Sequence, residues 1–190
     1  MLLLKPTKLI VLSGPSGVGK GTLCRGLLES RQDIQLCVSA TTRVIRPGEV
    51  DGEHYHFLTP EAFDQKVEAG DFIEWAEFAG SRYGTLKQEV EAVMDRGHFP
   101  MVEIDVKGAQ QIKANMPHAL LIFICPPSQQ VLRERLIQRG LNTEEDIQRR
   151  LAIAEKELDA SGEFNQLIEN DALPQALSEI QVAIATYLQL

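Results

Sequence analysis

The chemistry in this sequence begins at GPSGVGKGT, residues Gly14 to Thr22, directly after the apolar run LIVLS. Glycines at positions 14, 17 and 19 permit the backbone turns by which successive N–H groups converge on one anion. The helix that follows adds the attraction of its dipole. Pro15, Ser16 and Val18 complete the loop, and Lys20 supplies a mobile charge suited to the β and γ phosphates of a nucleoside triphosphate. The P-loop pattern GxxxxGK[ST] requires a hydroxyl directly after the lysine, where it touches Mg2+. Position 21 is instead a glycine, and the hydroxyl arrives one residue late at Thr22. Either Thr22 substitutes through a small shift of the turn, or Mg2+ is held mainly by phosphate oxygens and water, as that ion tolerates.

A phosphate loop needs a strand before it and a helix after it, and the rest of the chain continues that alternation. Short apolar runs interleaved with helix-period segments predict an α/β fold with a mainly parallel sheet flanked by helices. The runs from Leu9 to Ser13, Ile34 to Ser39, Pro100 to Asp105 and Leu120 to Cys125 read as core strands. One helix starts inside the P-loop, another covers about 86–96, a short one follows Gly108, and the last covers about 173–188. Two regions interrupt the pattern. Residues 39–85 are polar, aromatic and punctuated by glycine, as expected of an inserted lobe. Residues 128–161 carry two arginine-rich helical patterns joined at Gly140, the second opening with Thr143 three residues before Asp146 in the manner of an N-cap. A single domain, 1–190, is therefore expected, with its core in about 1–38, 86–127 and 162–190.

Composition narrows the partners. A chain of 190 residues buries about two-thirds of its unfolded surface, and a hydrophobic share of 44% with 24% charged residues marks an ordinary globular protein. The net charge of -8 argues against nucleic acid or an anionic membrane as partner, since either demands a dense basic surface. Any polyanion bound must be small and locally held. Cys24, Cys37 and Cys125 form no metal or redox motif and read as buried thiols in a reducing compartment. The interrupted apolar N-terminus is neither a signal peptide nor a spanning helix, so a cytoplasmic location is expected.

Further motifs follow in order: SATTRVIRPGEVDGEHYHF from Ser39, FIEWAEFAGSRYGT from Phe72, PPS from Pro126, an RL…RG…RRL…E segment, and ENDAL before the last helix. With the P-loop, they closely resemble guanylate kinases over almost the whole chain. The resemblance implies a P-loop nucleoside monophosphate kinase-like fold with a GMP-binding lobe at about 39–85 and a helical lid at about 128–161. It further implies phosphoryl transfer from ATP to GMP, and by extension dGMP, with Mg2+ as cofactor. Homo-oligomers are compatible with it. Two alternatives stand beside this reading: a nucleoside monophosphate kinase for another base, and a non-catalytic guanylate-kinase-like binding module.

The resemblance assigns residues. Arg43, Arg46, Tyr55 and Tyr83 match the set that grips the acceptor phosphate, and forked guanidinium groups beside hydroxyl donors suit a doubly charged anion. Glu74 matches the carboxylate that reads the donor edge of guanine, and Ser39 and Thr85 the hydroxyls on its O6 side. Glu103 and Asp105 share one face at a strand end, and Asp105 matches a position near the guanine amino group or the Mg2+ water shell. Capping of the next helix is the competing role for Asp105. Lys20 and Arg43, with the lid arginines Arg135, Arg139 and Arg150, are the expected catalytic cations, while Arg133 and Arg149 read as a solvated face. Asn170 matches a position near adenine. Asn165 and Gln166 depart from the family's frequent aspartate-aromatic pair.

Overall fold

The computed structural model describes residues 8–78, 80–138 and 143–189. Its centre is a five-stranded sheet built from β1 (Ile10–Ser13), β2 (Ile34–Leu36), β7 (Phe99–Glu103), β8 (Leu120–Cys125) and β9 (Gln166–Glu169). The strands run parallel in the order β2-β7-β1-β8-β9. Because both faces are covered, successive residues of β1 enter different cores, and the strand reads as a continuous apolar run. Ile10 and Leu12 pack with Leu23 and Leu27 of α1 (Lys20–Ser30) and with Ile180 and Ile184 of α7 (Leu173–Leu188). Leu9 and Val11 pack on the other face with Val90 and Val93 of α3 (Lys87–Asp95) and with Ala109 and Ile112 of α4 (Val106–Asn115).

The chain leaves β1 for one edge through α1 and later returns across β1 between β7 and β8. β1 is thus where the winding reverses, and ligands in such sheets bind beyond the carboxyl ends of the strands at that point.

A second sheet, ordered β4-β3-β6-β5, comprises β3 (Ala40–Thr41), β4 (His56–Phe57), β5 (Phe72–Phe78) and β6 (Ser81–Leu86). β5 and β6 pair antiparallel, as do β3 and β6. Helix α2 (Pro60–Glu68) closes a small core in which the rings of Phe63 and Phe72 stack with centroids 4.5 Å apart. Thr59 caps α2 by accepting from the Ala62 N–H at 3.2 Å, with Pro60 at the first helical position. Helices α5 (Gln129–Gln138) and α6 (Glu144–Asp159) pair through Leu132, Leu136, Ile147 and Ala154. Thr143 caps α6, accepting from the Asp146 N–H at 3.2 Å as its spacing suggests. Gly140, the expected joint, lies outside the described residues.

Several expected elements are corrected. The second strand stops at Leu36, leaving Cys37 to Ser39 as a connection into the second sheet. The helix expected after Gly108 starts at Val106 and contains that glycine, because Asp105 caps it. Helix α2 lies in the lobe whose pieces read as strand-like, and strand β9 lies in a core segment for which the sequence predicts no element. Cys24 and Cys37 are buried, whereas Cys125 is half-exposed.

Candidate functional site

Beyond β1 the chain turns through Gly14, Gly17 and Gly19, all with positive φ. At Gly14 the turn also passes so close to the Ile124 carbonyl that a side chain has no room. The Nζ of Lys20 folds back over this loop, donating to the carbonyls of Gly14 at 2.5 Å and Pro15 at 3.1 Å. The loop forms one wall of a cleft of about 540 Å3 lined also by Ser39, Arg46, Tyr55, Glu74, Tyr83, Glu103, Asp105, Arg150 and Glu157. Donor loop, second sheet, strand-end carboxylates and α6 thus face one space. A groove of similar size against α7, at the opposite ends of β8 and β9, has no lysine or arginine among its described lining residues.

Glu74 is the unusual member. It is only 4% exposed, yet it sits in β5 with its carboxylate in the cleft. The buried Thr85 hydroxyl donates to its Oε1 at 2.7 Å. Burial pushes the Glu74 carboxyl up to about 7, with the nearby Asp105 adding to the rise and the Thr85 hydrogen bond opposing it. Helix α4 makes this placement possible. A Cβ on Gly108 would stand 2.7 Å from Oε2 of Glu74, so only glycine lets the helix come this near. Gln111, one turn further, clamps the neighbouring backbone: its amide accepts from the Trp75 N–H at 3.2 Å and donates to the Trp75 carbonyl at 2.7 Å. Asp105 accepts from the Gly108 N–H at 2.8 Å, so the capping role is realised while its side chain still lines the cleft.

Further along the same β5–β6 pair, Tyr83 meets Tyr55 edge to face with ring centroids 6.0 Å apart, and both line the cleft with Arg46. Arg43 is not among the cleft's lining residues. Its guanidinium forms a two-pronged pair with Glu49 at 2.7 and 3.0 Å and lies 5.3 Å from the centre of the Tyr55 ring. Glu49 also accepts from the Arg46 N–H at 2.8 Å. A phosphate gripped by Arg43 must compete with that carboxylate.

Helix α6 brings two groups onto the loop. Arg150 donates to the Ser16 hydroxyl at 3.3 Å, and Glu157, two turns on, receives the Ser16 backbone N–H. The second oxygen of Glu157 is buried and has no hydrogen-bond partner among the described residues, and burial raises its carboxyl above the ordinary value against the pull of Lys20. Arg135 behaves differently. It donates to the carbonyls of Val18 at 3.2 Å and Asn170 at 2.8 Å, and the Asn170 amide also donates to Val18 at 2.8 Å. These two residues border a separate pocket with Gly17, Gly19 and Thr22 on the outer side of the loop. Arg139 lies outside the described residues. Arg133 pairs with Glu144 and Arg149 with Asp146, both at the surface, as a solvated face requires.

The family model described as guanylate kinase matches residues 6–187. The chain belongs to the guanylate kinase family. A guanylate kinase of Prochlorococcus marinus is 48% identical over 174 residues, 92% of this chain and 92% of its own length. One from Trichormus variabilis is 49% identical over 177 residues, 93% of this chain and 89% of its own. Among solved structures, the guanylate kinase of Anaplasma phagocytophilum matches with a TM-score of 0.74 at 31% identity, covering 96% of this chain and 87% of that one. The α/β fold with its parallel P-loop sheet is the fold of that family, and this chain is an enzyme of it.

Of the expected site residues, Gly14, Pro15, Ser16, Gly17, Gly19, Lys20, Gly21, Ser39, Arg46, Tyr55, Glu74, Tyr83, Asp105 and Arg150 share one cleft. Thr85 reaches it through Glu74, and Arg43 through the two tyrosines it adjoins. Thr22, Arg135 and Asn170 gather in the neighbouring pocket, and Val18 is buried beneath the loop. Sequence reasoning missed Gly108, Gln111 and Glu157. The glycine three residues after Asp105 carried a signal for the first, because a tight approach explains a glycine inside a helix.

Proposed function

We propose that this enzyme transfers the γ-phosphoryl group of ATP to GMP, and by extension to dGMP, by in-line displacement. One observation carries the reading: the phosphate loop and a buried, hydroxyl-bonded carboxylate open into the same cleft. Guanine presents N1–H and N2–H donors beside the O6 acceptor, so ionised Glu74 accepts from the donor edge, Ser39 lies on the O6 side, and Thr85, its hydroxyl proton given to Glu74, holds that carboxylate in place. A site of buried hydrogen-bonding groups penalises adenine by about 1–3 kcal/mol for each group left unpaired. Arg46, Tyr55 and Tyr83, with Arg43 once released from Glu49, hold the acceptor phosphate. Lys20 and the loop N–H groups hold the donor phosphates, Arg150 approaches them from α6, and Arg135 serves the neighbouring pocket; Arg139 keeps only the role that its match to the family's lid arginines implies. Asn170 and Thr22 border the pocket where the remainder of ATP extends. The acceptor oxygen is already anionic, so no general base is required.

The carboxylates Glu103 and Asp105 beside the loop suit a hard cation that prefers oxygen ligands. These two side chains would hold Mg2+ there, and the ion would supply positive charge against the negative charge that develops during transfer. The binding-module and other-base alternatives are not favoured, since the loop glycines, Lys20, Glu74 and Thr85 are all in place. We also assign the reaction to the cytoplasm. Free thiols at Cys24, Cys37 and Cys125 suit a reducing compartment, and among the described residues no helix is long and apolar enough to cross a membrane.

Coupled ADP release from the purified enzyme with ATP and Mg2+, offering GMP, AMP, CMP and UMP in parallel, tests the proposal. Turnover with GMP alone is expected. Turnover with another nucleotide would overturn the roles given to Ser39, Glu74 and Thr85.

A further inference from the structure

Glu74 stands at an irregular place in its strand. From Phe72 to Glu74 β5 advances two residues while β6 advances one, from Leu86 to Thr85, so Ile73 is the extra residue of a β-bulge. A bulge re-aims side chains and leaves its added residue out of the ladder. Here Phe72 enters the core of the second sheet, Ile73 the core shared by β1, α3 and α4, and Glu74 the cleft. β5 is also the edge strand of its sheet, and the outward backbone groups of an edge need partners of their own. Two residues of α4 supply them. The Gln111 carboxamide exchanges hydrogen bonds with the Trp75 N–H and carbonyl at 3.2 and 2.7 Å, and Asn115, one turn on, donates to the Ile73 carbonyl at 3.5 Å. We propose that Gln111 and Asn115 are positioning residues for base recognition: they hold the backbone on either side of Glu74 and so fix where its carboxylate meets the base.

A carboxamide suits this task because it carries an acceptor and two donors in one plane. It presents to the open edge of β5 what a neighbouring strand would present. Gln111 is itself braced, reaching the Lys107 carbonyl of its own helix at 3.5 Å. Gly108, Gln111 and Asn115 recur at intervals of three and four residues, so they form one stripe of α4 along residues 73–75 of β5. The start of that helix is fixed at the cleft by the Asp105 cap. Neither Gln111 nor Asn115 is among the residues lining the cleft, so their effect on a bound nucleotide must pass through β5. The Thr85 hydroxyl holds one oxygen of the Glu74 carboxylate, while the α4 contacts hold the chain that carries it. Such support matters because a misplacement of about 1 Å, caused far from the chemistry, can cost about a hundredfold in rate.

The inference rests on the reading of Glu74 as the guanine-binding group, and a double-mutant cycle separates the two. KM values for GMP and ATP and the melting temperature are measured for wild type, Gln111→Met, Glu74→Gln and the double variant, with Asn115→Ala as a milder probe of the same stripe. Methionine keeps the length of glutamine and removes the paired hydrogen bonds. Gln111→Met is expected to raise the KM for GMP by about tenfold, and Asn115→Ala by less. The KM for ATP and the melting temperature are expected to change little, since water takes up the freed edge groups. In the Glu74→Gln background the same change is expected to add little, because the carboxylate it positions is already gone. An unchanged KM for GMP in Gln111→Met, an equal rise in both backgrounds, or a rise shared by ATP overturns the positioning role. A Glu74→Gln variant with the wild-type KM for GMP would instead remove the base reading, and the proposal with it.

Discussion

The Thr85 hydroxyl donates to Oε1 of Glu74 at 2.7 Å, and both side chains are buried. The carboxyl titrates near 7 because burial disfavours its charged form, whereas guanine needs that charged form as acceptor. On the role proposed for Glu74, GMP binds in competition with a proton. Below pH 7 the KM for GMP is expected to rise by roughly tenfold per pH unit, and Glu74→Gln should abolish that slope while weakening GMP throughout. The comparison with the variant matters because the substrate phosphate itself titrates near about 6. Folding carries the same linkage. The folded carboxyl sits above its ordinary 4.5, so stability from this group is full below that pH and is lost as the pH rises through about 7. A wild-type KM for GMP as flat with pH as that of the variant would contradict the role of Glu74.

Gly108 should control base recognition without touching the nucleotide. Gly108→Ala places a methyl group 2.7 Å from Oε2 of Glu74, displacing the carboxylate. In a helix interior the same change favours folding by roughly 0.5–1 kcal/mol, which offsets part of the strain. The expected outcome is a KM for GMP raised by about ten- to a hundredfold, in line with one or two lost hydrogen bonds, with the KM for ATP and the melting temperature little changed. Equal rises in both KM values would show general damage instead.

The strands β1, β7 and β8 were legible because two covered faces make their runs largely apolar, whereas β2, at one sheet edge with only Ile34 buried, was found but ends earlier than its run suggests. β9 was not, since QLIE buries only Ile168 and lies at the sheet edge. The chemistry divides along a similar line. The P-loop is local in sequence, and its conformation follows from its glycines. Glu103 and Asp105 part company in the fold, the first beside Gly21 of α1 and the second capping α4, a relation that alternation along one strand cannot express. Arg43 differs for a third reason: Glu49, six residues on in the same turn, holds its guanidinium in two hydrogen bonds. Sequence alone assigns both residues to a polar lobe without pairing them.

Lys20 is expected to serve the donor alone. Its Nζ lies over the Gly14 and Pro15 carbonyls, while the base-reading groups come from the second sheet. Lys20→Ala should lower kcat by at least about a hundredfold, the scale for losing one preorganised donor to developing charge, with the dissociation constant for GMP unchanged. Steady-state kinetics together with calorimetric titration of GMP checks both halves. Loss of GMP affinity would mean that the lysine also orders the acceptor wall.

Arg150 and Glu157 lie two turns apart on α6 and bear on the same residue, Ser16, with opposite charge. An approaching triphosphate repels the carboxylate and attracts the guanidinium, so binding should exchange the second contact for a stronger form of the first. Arg150→Ala removes the cation proposed to stabilise the transferring group, and a loss of about a thousandfold or more in kcat is expected, the scale for an arginine in such a role. Arg150→Lys restores the charge but not the planar fork, and only partial recovery is expected. Glu157→Gln should act in the opposite sense, tightening ATP while leaving the KM for GMP unaltered. Unchanged kcat in Arg150→Ala would reduce that residue to the solvated surface role that Arg149 plays one position earlier on the same helix.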